Sequence, residues 1–253
     1  MLLALDLIFE NYFTLIQSYM KILLITFIAL FAQYTTFSQS IYGSRNVTES
    51  IRTFKDVNAL ELTGHFVVEL IQGDKEEVKI IADDNIHEYV VTENVDGVLK
   101  IYMKDYRYLK IKSRRLVITV KDLESLSNSG SGDIQATSQF STNSLNINLS
   151  GSGDIDLNIT ATELNVSLNG SGDIALLGNS MKLNVTLFGS GDVRAYNLQA
   201  GTVTIKATGS GNIRVFANMS LTGSISGNGD VFHKGGASSE ISVSGSGEVV
   251  KEY

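Results

Sequence analysis

The chain has 253 residues, a formal net charge of −7, 43% hydrophobic residues, and neither Cys nor Pro. That apolar share excludes a disordered chain, and the acidic balance excludes a nucleic-acid binder, whose phosphates need a basic counter-surface. The lack of Cys excludes disulfides, thiolate metal sites, Cys nucleophiles and acyl anchoring on an N-terminal Cys, while the lack of Pro suits a chain in which nearly every backbone N–H serves a ladder.

Residues 1–38 read as a leader. Met20-Lys21 precedes the apolar run Ile22 to Ala32, and Thr36-Phe37-Ser38 puts small residues at −3 and −1 of a cleavage before Gln39. This is a secretory signal pattern. Asp6 and Glu10 place negative charge where a positive n-region belongs, so the signal peptide is read as starting at Met20, with Met1–Tyr19 an extension upstream of the true start. The alternative is a membrane anchor from Leu2 to Phe31, interrupted by Asp6, Glu10 and Asn11. No later segment reads as a membrane-spanning helix, so the mature chain is expected to have no integral span.

From about 45 to 126 the sequence alternates without a repeat. Phe66, Val68 and Leu70 alternate with Val67 and Glu69; Val78 to Ile80, Val98 to Ile101 and Leu116 to Val120 are further strand candidates, and Val95-Asp96-Gly97-Val98 reads as a hairpin turn. Within this section, Lys100 to Arg115 carries seven basic residues and three Tyr against one Asp. Lys104, Tyr106, Arg107, Tyr108 and Lys110 are its candidate binding residues, because aromatics between cations can stack on sugar rings or hold anionic glycans. The alternative is a solvated strand face near one end of a rod.

From about 127 to 253 one turn recurs seven times. Gly130-Ser131-Gly132-Asp133-Ile134 is followed by copies whose glycines are Gly151 and Gly153, Gly170 and Gly172, Gly189 and Gly191, Gly209 and Gly211, Gly227 and Gly229, and Gly245 and Gly247. First-glycine spacings are 21, 19, 19, 20, 18 and 18, too short for helical-pair repeats or a four-stranded propeller blade. Leu145, Ile147 and Leu149 before one turn, and Ile155, Leu157 and Ile159 after the next, alternate with polar residues at period 2. Each coil is therefore read as strand, turn, strand and a looser return such as Thr160 to Glu163, with equivalent strands stacking in parallel ~4.8 Å apart. The inward series Leu157, Leu176, Ala195, Val215 ends in His233 and Lys251, a polar end that blunts the ladder edge.

The expected fold is all-β: a parallel β-helix, or β-solenoid, with coils of about 19 residues, seven turns of this type and a less regular N-terminal β section. Residues 45–253 are read as a single domain, 45–126 being irregular coils and 127–253 the repeats; a separate β domain over the first part is the alternative. Asp133, Asp154, Asp173 and Asp192 head a ladder down one corner. Carboxylates at this spacing suggest Ca²⁺, but Ca²⁺-binding solenoids repeat every nine residues, and an Asp after a turn serves equally to bond backbone N–H groups. No cofactor and no other metal are expected.

The Gly-Ser-Gly-Asp series, the lead-in Leu116 to Leu126 and Gln72-Gly73-Asp74 resemble the putative auto-transporter adhesin, head GIN domain family of Bacteroidetes-type bacteria. The similarity covers about Phe54 to Lys251, with Lys121 standing where such proteins often carry Pro. It implies a right-handed β-helix and an exported protein, and brings no catalytic residues. The expected partners are a surface glycan or an envelope protein.

An enzyme acting on polysaccharide needs acids clustered with each other or with Lys or Arg in one groove. Asp154 and Asp156 face outward on one coil, with Asp173 on the next, but Lys182, Arg194, Lys206 and Arg214 read as unrelated coil positions, and His65, His87 and His233 as scattered. The reading is therefore an exported, non-enzymatic β-helix of the cell envelope or surface with an adhesive role. A carbohydrate-binding or polysaccharide-acting β-helix and a scaffold in envelope sensing are the alternatives. Periplasmic, outer-membrane-associated and secreted locations all fit, and the sequence does not speak to oligomeric state.

Overall fold

Alternation of apolar and polar residues forces an extended chain with one side inward, and the glycines decide where it turns. The computed structural model describes residues 40–104 and 107–253 together with Met20 and Lys21. The leader reading of 1–38 otherwise lies outside the described residues. Ile41–Tyr253 forms one compact unit. Among the described residues no helix is long and apolar enough to cross a membrane.

In the repeat region five long strands follow one another: β11 (Asp133–Gly151), β12 (Ile155–Gly170), β13 (Ile174–Gly189), β14 (Val193–Gly209) and β15 (Ile213–Gly227). Each pairs in parallel with the next, so Leu145, Leu164, Leu183, Val203 and Leu221 form one inward column and Ile134, Ile155, Ile174, Val193 and Ile213 another. All ten are buried, each worth about 1.5–3 kcal/mol relative to exposure for side chains of this size. The chain thus forms a β-solenoid of stacked parallel coils.

The return expected to be loose is part of the ladder. Thr160, Ala161 and Glu163 pair with Asn179, Ser180 and Lys182. The bend survives because Ala161 is small enough to be buried there, and because Ser180 Oγ donates to the Lys182 carbonyl (2.7 Å) and accepts from its N–H (3.2 Å).

The N-terminal section joins the same stack out of chain order. Its strands are β1 (Ser40–Tyr42), β2 (Val47–Thr53), β3 (Ala59–Gly64), β4 (Val67–Gln72), β5 (Glu77–Asp83), β6 (Val90–Val95), β7 (Val98–Met103), β8 (Arg107–Leu109), β9 (Arg114–Val120) and β10 (Ser125–Gly130), with a 3-10 helix over Asp84–Tyr89. β3 and β4 stack in parallel on β10 and the start of β11, placing Gly64 beside Gly130 and Val67 beside Asp133. Gly64-His65-Phe66 is therefore an eighth corner in the same row, without the repeat's sequence. β7 and β9 form the next parallel level out, with Ala59 opposite Val98 and Val67 opposite Arg115. Antiparallel β6 then covers β7, β5 covers β9, and β2 covers β5. Asp96 and Gly97, with φ of 52° and 85°, make the β6–β7 hairpin. β1 and β8 form a separate two-stranded sheet.

At the other end lie β16 (Val231–Lys234), β17 (Ser238–Gly245) and β18 (Val249–Lys251). Val215, His233 and Lys251 are in register. His233 is buried with its Nδ1 unpartnered, whereas Lys251 is exposed.

Candidate binding groove

The corner glycines are dictated by contact between coils. A Cβ on Gly153 would lie 2.0 Å from the Gly132 carbonyl oxygen, well inside contact distance. The Asp after each corner works between coils rather than within its own turn: Asp133 Oδ1 accepts from Asp154 N–H (3.1 Å), Asp154 Oδ1 from Asp173 N–H (2.8 Å), and Asp173 Oδ1 from Asp192 N–H (2.8 Å). Asp192, Asn212 and Asp230 continue the chain of bonds to Asn212, Asp230 and Glu248. The second oxygens of Asp173 and Asp192 pair with the Arg194 and Arg214 guanidiniums. Among the described residues no three His, Asp or Glu side chains converge as a metal site.

Beyond the corner, the outward face of the post-turn strands carries a groove. One stretch of about 660 Å³ lies among Val67, Glu69, Arg115, Asp133, Asp154 and Asp156. A second, of about 430 Å³, shares Gln135 and Asp156 with it and runs on past Asn158, Leu177, Tyr196 and Arg214. Irregularities in the ladder build its walls: the register slips between Gln135 and Gln139 and again between Ala195 and Gln199. The first bulge is pinned by Gln72, whose N–H donates to Ser138 Oγ (2.8 Å) and whose Oε1 accepts from Ser141 N–H (2.8 Å).

The ladder corrects the view that the repeat's basic residues are unrelated. Arg194 and Arg214 are register partners on adjacent coils, and Lys182 and Lys206 sit elsewhere, opposite Thr202 and Thr186. The outward row therefore reads Gln135, Asp156, Ala175, Arg194, Arg214, Phe232. Arg214 lies over the Phe232 ring at 5.1 Å, and Lys234 over the Tyr196 ring at 5.1 Å. Partial burial, and then the charge of Asp154, push the Asp156 carboxyl above the ordinary range, with Arg194 pulling the other way. Burial, helped by the Glu252 carboxylate, pushes the Tyr196 phenol up to about 12. The row is legible in the sequence once each coil is counted from its corner, because every member directly follows the Ile or Val of the repeated turn; counting along the chain, where coils run 18 to 21 residues, obscures it.

The basic, Tyr-rich tract lies at the outermost parallel level, between β7 and β9. Tyr106 lies outside the described residues, and only the backbone of Arg107 is described, in β8. Lys104 and Lys110 are exposed. Tyr108 packs on the hydrophobic core, donates its hydroxyl to the Lys104 carbonyl (2.7 Å) and meets the Tyr89 ring edge-on at 6.0 Å. Lys104 Nζ sits 5.9 Å from the centre of the Tyr89 ring. The buried Asp83 holds the far end of the tract, accepting from Lys112 N–H (3.2 Å) and Arg45 N–H (3.2 Å). Among the described residues of the tract, Arg115 lines the groove and pairs with Glu69 at 2.6 Å. His65 is not isolated either, its Nδ1 lying 2.6 Å from Ser131 Oγ on the neighbouring corner.

A stack of parallel coils presenting one long polar groove defines a β-solenoid of the single-groove kind. The chain belongs to the family described as "Putative auto-transporter adhesin, head GIN domain", which matches residues 56–237. A putative adhesin from Bacteroides fragilis NCTC 9343 is similar at 25% identity and a TM-score of 0.79, covering 84% of this chain and 100% of its own. A putative lipid binding protein from Parabacteroides distasonis ATCC 8503 is similar at 26% identity and TM-score 0.72, over 85% of this chain and 100% of that one. A putative adhesin from the same organism shares the fold at 24% identity and TM-score 0.71, over 85% and 100%. No curated protein matches the sequence.

Proposed function

We propose that this protein is an exported, non-enzymatic solenoid of the bacterial envelope or surface that works by binding. The observation that carries the reading is the groove: its outward side chains are held in rows by the ladder, and its corner acids are committed to backbone N–H groups and arginines. Rows of fixed polar groups suit recognition, whereas acid–base catalysis needs acids with open access to water or substrate. Membership of an adhesin-type family supports a surface role, and the Lys21 to Ala32 pattern supports export. The tract Lys104, Tyr106, Arg107, Tyr108 and Lys110 is a second candidate surface; its Tyr108 packing favours a structural part for that residue.

Fractionation of expressing cells, with mass spectrometry of the mature N-terminus and binding of the purified protein to a glycan array, tests the proposal. The expected result is a chain starting at Gln39 outside the cytoplasm with at least one glycan hit. An intact Met1 in the cytoplasmic fraction overturns export. A polysaccharide-acting role is the second reading, favoured by the raised Asp156 carboxyl inside the groove. Turnover on a polysaccharide panel that is lost in Asp156→Asn would establish it in place of the first.

A further inference from the structure

The outward row of the groove has a gap. Asp156, Ala175 and Arg194 are consecutive register partners, so an Ala stands between an Asp and an Arg whose backbones are two ladder steps, roughly 9.6 Å, apart, and the Arg194 guanidinium pairs with Asp173. In the next row Asn158, Leu177 and Asn197 are likewise consecutive, and Leu177 is 45% exposed. An exposed Leu beside an Ala, walled on both sides by Asp, Asn and Arg, makes a small box with an apolar floor and polar walls. Tyr196, on the Ala195–Gln199 bulge, closes one corner of the same 430 Å³ space, a volume within the roughly 300–1,000 Å³ of small-ligand sites.

These features match one ligand chemistry. A neutral hexopyranose has an apolar face of C–H groups and a rim of hydroxyls that both donate and accept. The floor suits the face, and the walls supply acceptors (Asp156), amides that both donate and accept (Asn158, Asn197), and the guanidinium N–H groups of Arg194 that its pairing with Asp173 leaves over. The rest of the groove argues against anions: Glu69, Asp133, Asp154 and Asp156 line it, and its Arg115, Arg194 and Arg214 are already paired with Glu69, Asp173 and Asp192. The groove also continues along the stacking direction, with Gln135 and Asp156 shared by both stretches, so an extended chain of such sugars can lie along it.

We propose that the box floored by Ala175 and Leu177 is a subsite for one hexose unit of a neutral, extended polysaccharide. The inference rests on the binding reading above and gives that binding its ligand class and its location.

The test is calorimetric titration of the purified protein. Cellohexaose, laminarihexaose and mannohexaose are the neutral probes; hexagalacturonate and a heparin hexasaccharide are the anionic ones. At least one neutral probe is expected to bind, and its affinity to fall roughly ten-fold or more in both Ala175→Tyr, which fills the box, and Asn197→Ala, which removes an exposed wall. Asn197→Ala carries the test if Ala175→Tyr does not fold. Neutral binding unchanged by the variant, or no neutral binding, overturns the proposal. If only anionic probes bind and Lys110→Ala with Arg114→Ala abolishes that binding, the subsite is wrong while the adhesive reading stands. If no probe binds and the protein does not attach to cells, both fall.

Discussion

Gly209 shows how a single residue can be fixed by its neighbours as well as by its own conformational preference. Its φ is +133°, and a Cβ there would sit 2.1 Å from the Gly189 carbonyl oxygen. Gly209→Ala is expected to destabilise the protein by about 2–4 kcal/mol, read as a lower denaturation midpoint, because strain and overlap coincide. Ser210→Ala, beside it on the exposed corner, is expected within about 0.5 kcal/mol of the parent. The corner acids make a parallel case. Asp173→Asn keeps an acceptor for Asp192 N–H, as Asn212 does for Asp230. It is expected to cost less than about 1 kcal/mol, the worth of an exposed ion pair, whereas Asp173→Ala costs about 1–3 kcal/mol by orphaning the N–H. Equal losses in urea melts of the two variants would show that charge, not the acceptor, matters at the corner.

At the scale of the element, the C-terminal coils end a column of apolar residues on His233. Burial holds the His233 imidazole below its usual range, and the nearby charge of Lys251 adds to this. The folded state therefore binds this proton less readily than the unfolded chain. Its full stability is present above the unfolded value of about 6.5 and is lost as pH falls below that toward the lower folded value. His233→Leu removes the linkage and continues the Val215 column. Melting temperatures measured from pH 8 to 5 are expected to fall for the parent and to stay flatter for the variant. Parallel curves would show that His233 does not titrate differently on folding. Asp156 bends the curve with the opposite sign: its raised carboxyl gives stability below its unfolded value of 3.8 that is lost as pH rises through the folded one. Asp156→Asn should thus gain on the parent at neutral pH and lose that advantage in acid.

For the whole molecule, the stack behaves as a one-dimensional array whose coils interact with nearest neighbours. Leu145 and Leu164 are register partners, so removing residues 145–163 deletes one coil and leaves every column continuous. The shortened protein is expected to keep a strand-type circular dichroism spectrum and one cooperative unfolding step, with a denaturant slope lower by roughly a tenth. Loss of cooperativity would show that this coil is not interchangeable with its neighbours. The two ends differ. Antiparallel β2, β5 and β6 cover the N-terminal levels, while among the described residues β17 pairs only with β15 and β18 only with β16.

The sequence by itself determined the solenoid. Seven Gly-Ser-Gly-Asp-type corners and the period-2 alternation leave one way to turn and one side to bury, and both are local properties of the chain. It also exposed the polar end at His233 and Lys251. Local signals could not reveal that β3 and β4 lie between β7/β9 and β10/β11, or that Gly64-His65-Phe66 occupies a corner without the motif, because a strand's partner is chosen by which apolar columns continue across the gap. The groove is decided the same way. Its row Asp156, Ala175 and Arg194 is legible in the repeat, each residue following the Ile or Val of a corner, but the bulges at 136–138 and 196–198 that wall it in exist only in the ladder, where unequal coil lengths meet a fixed interstrand spacing.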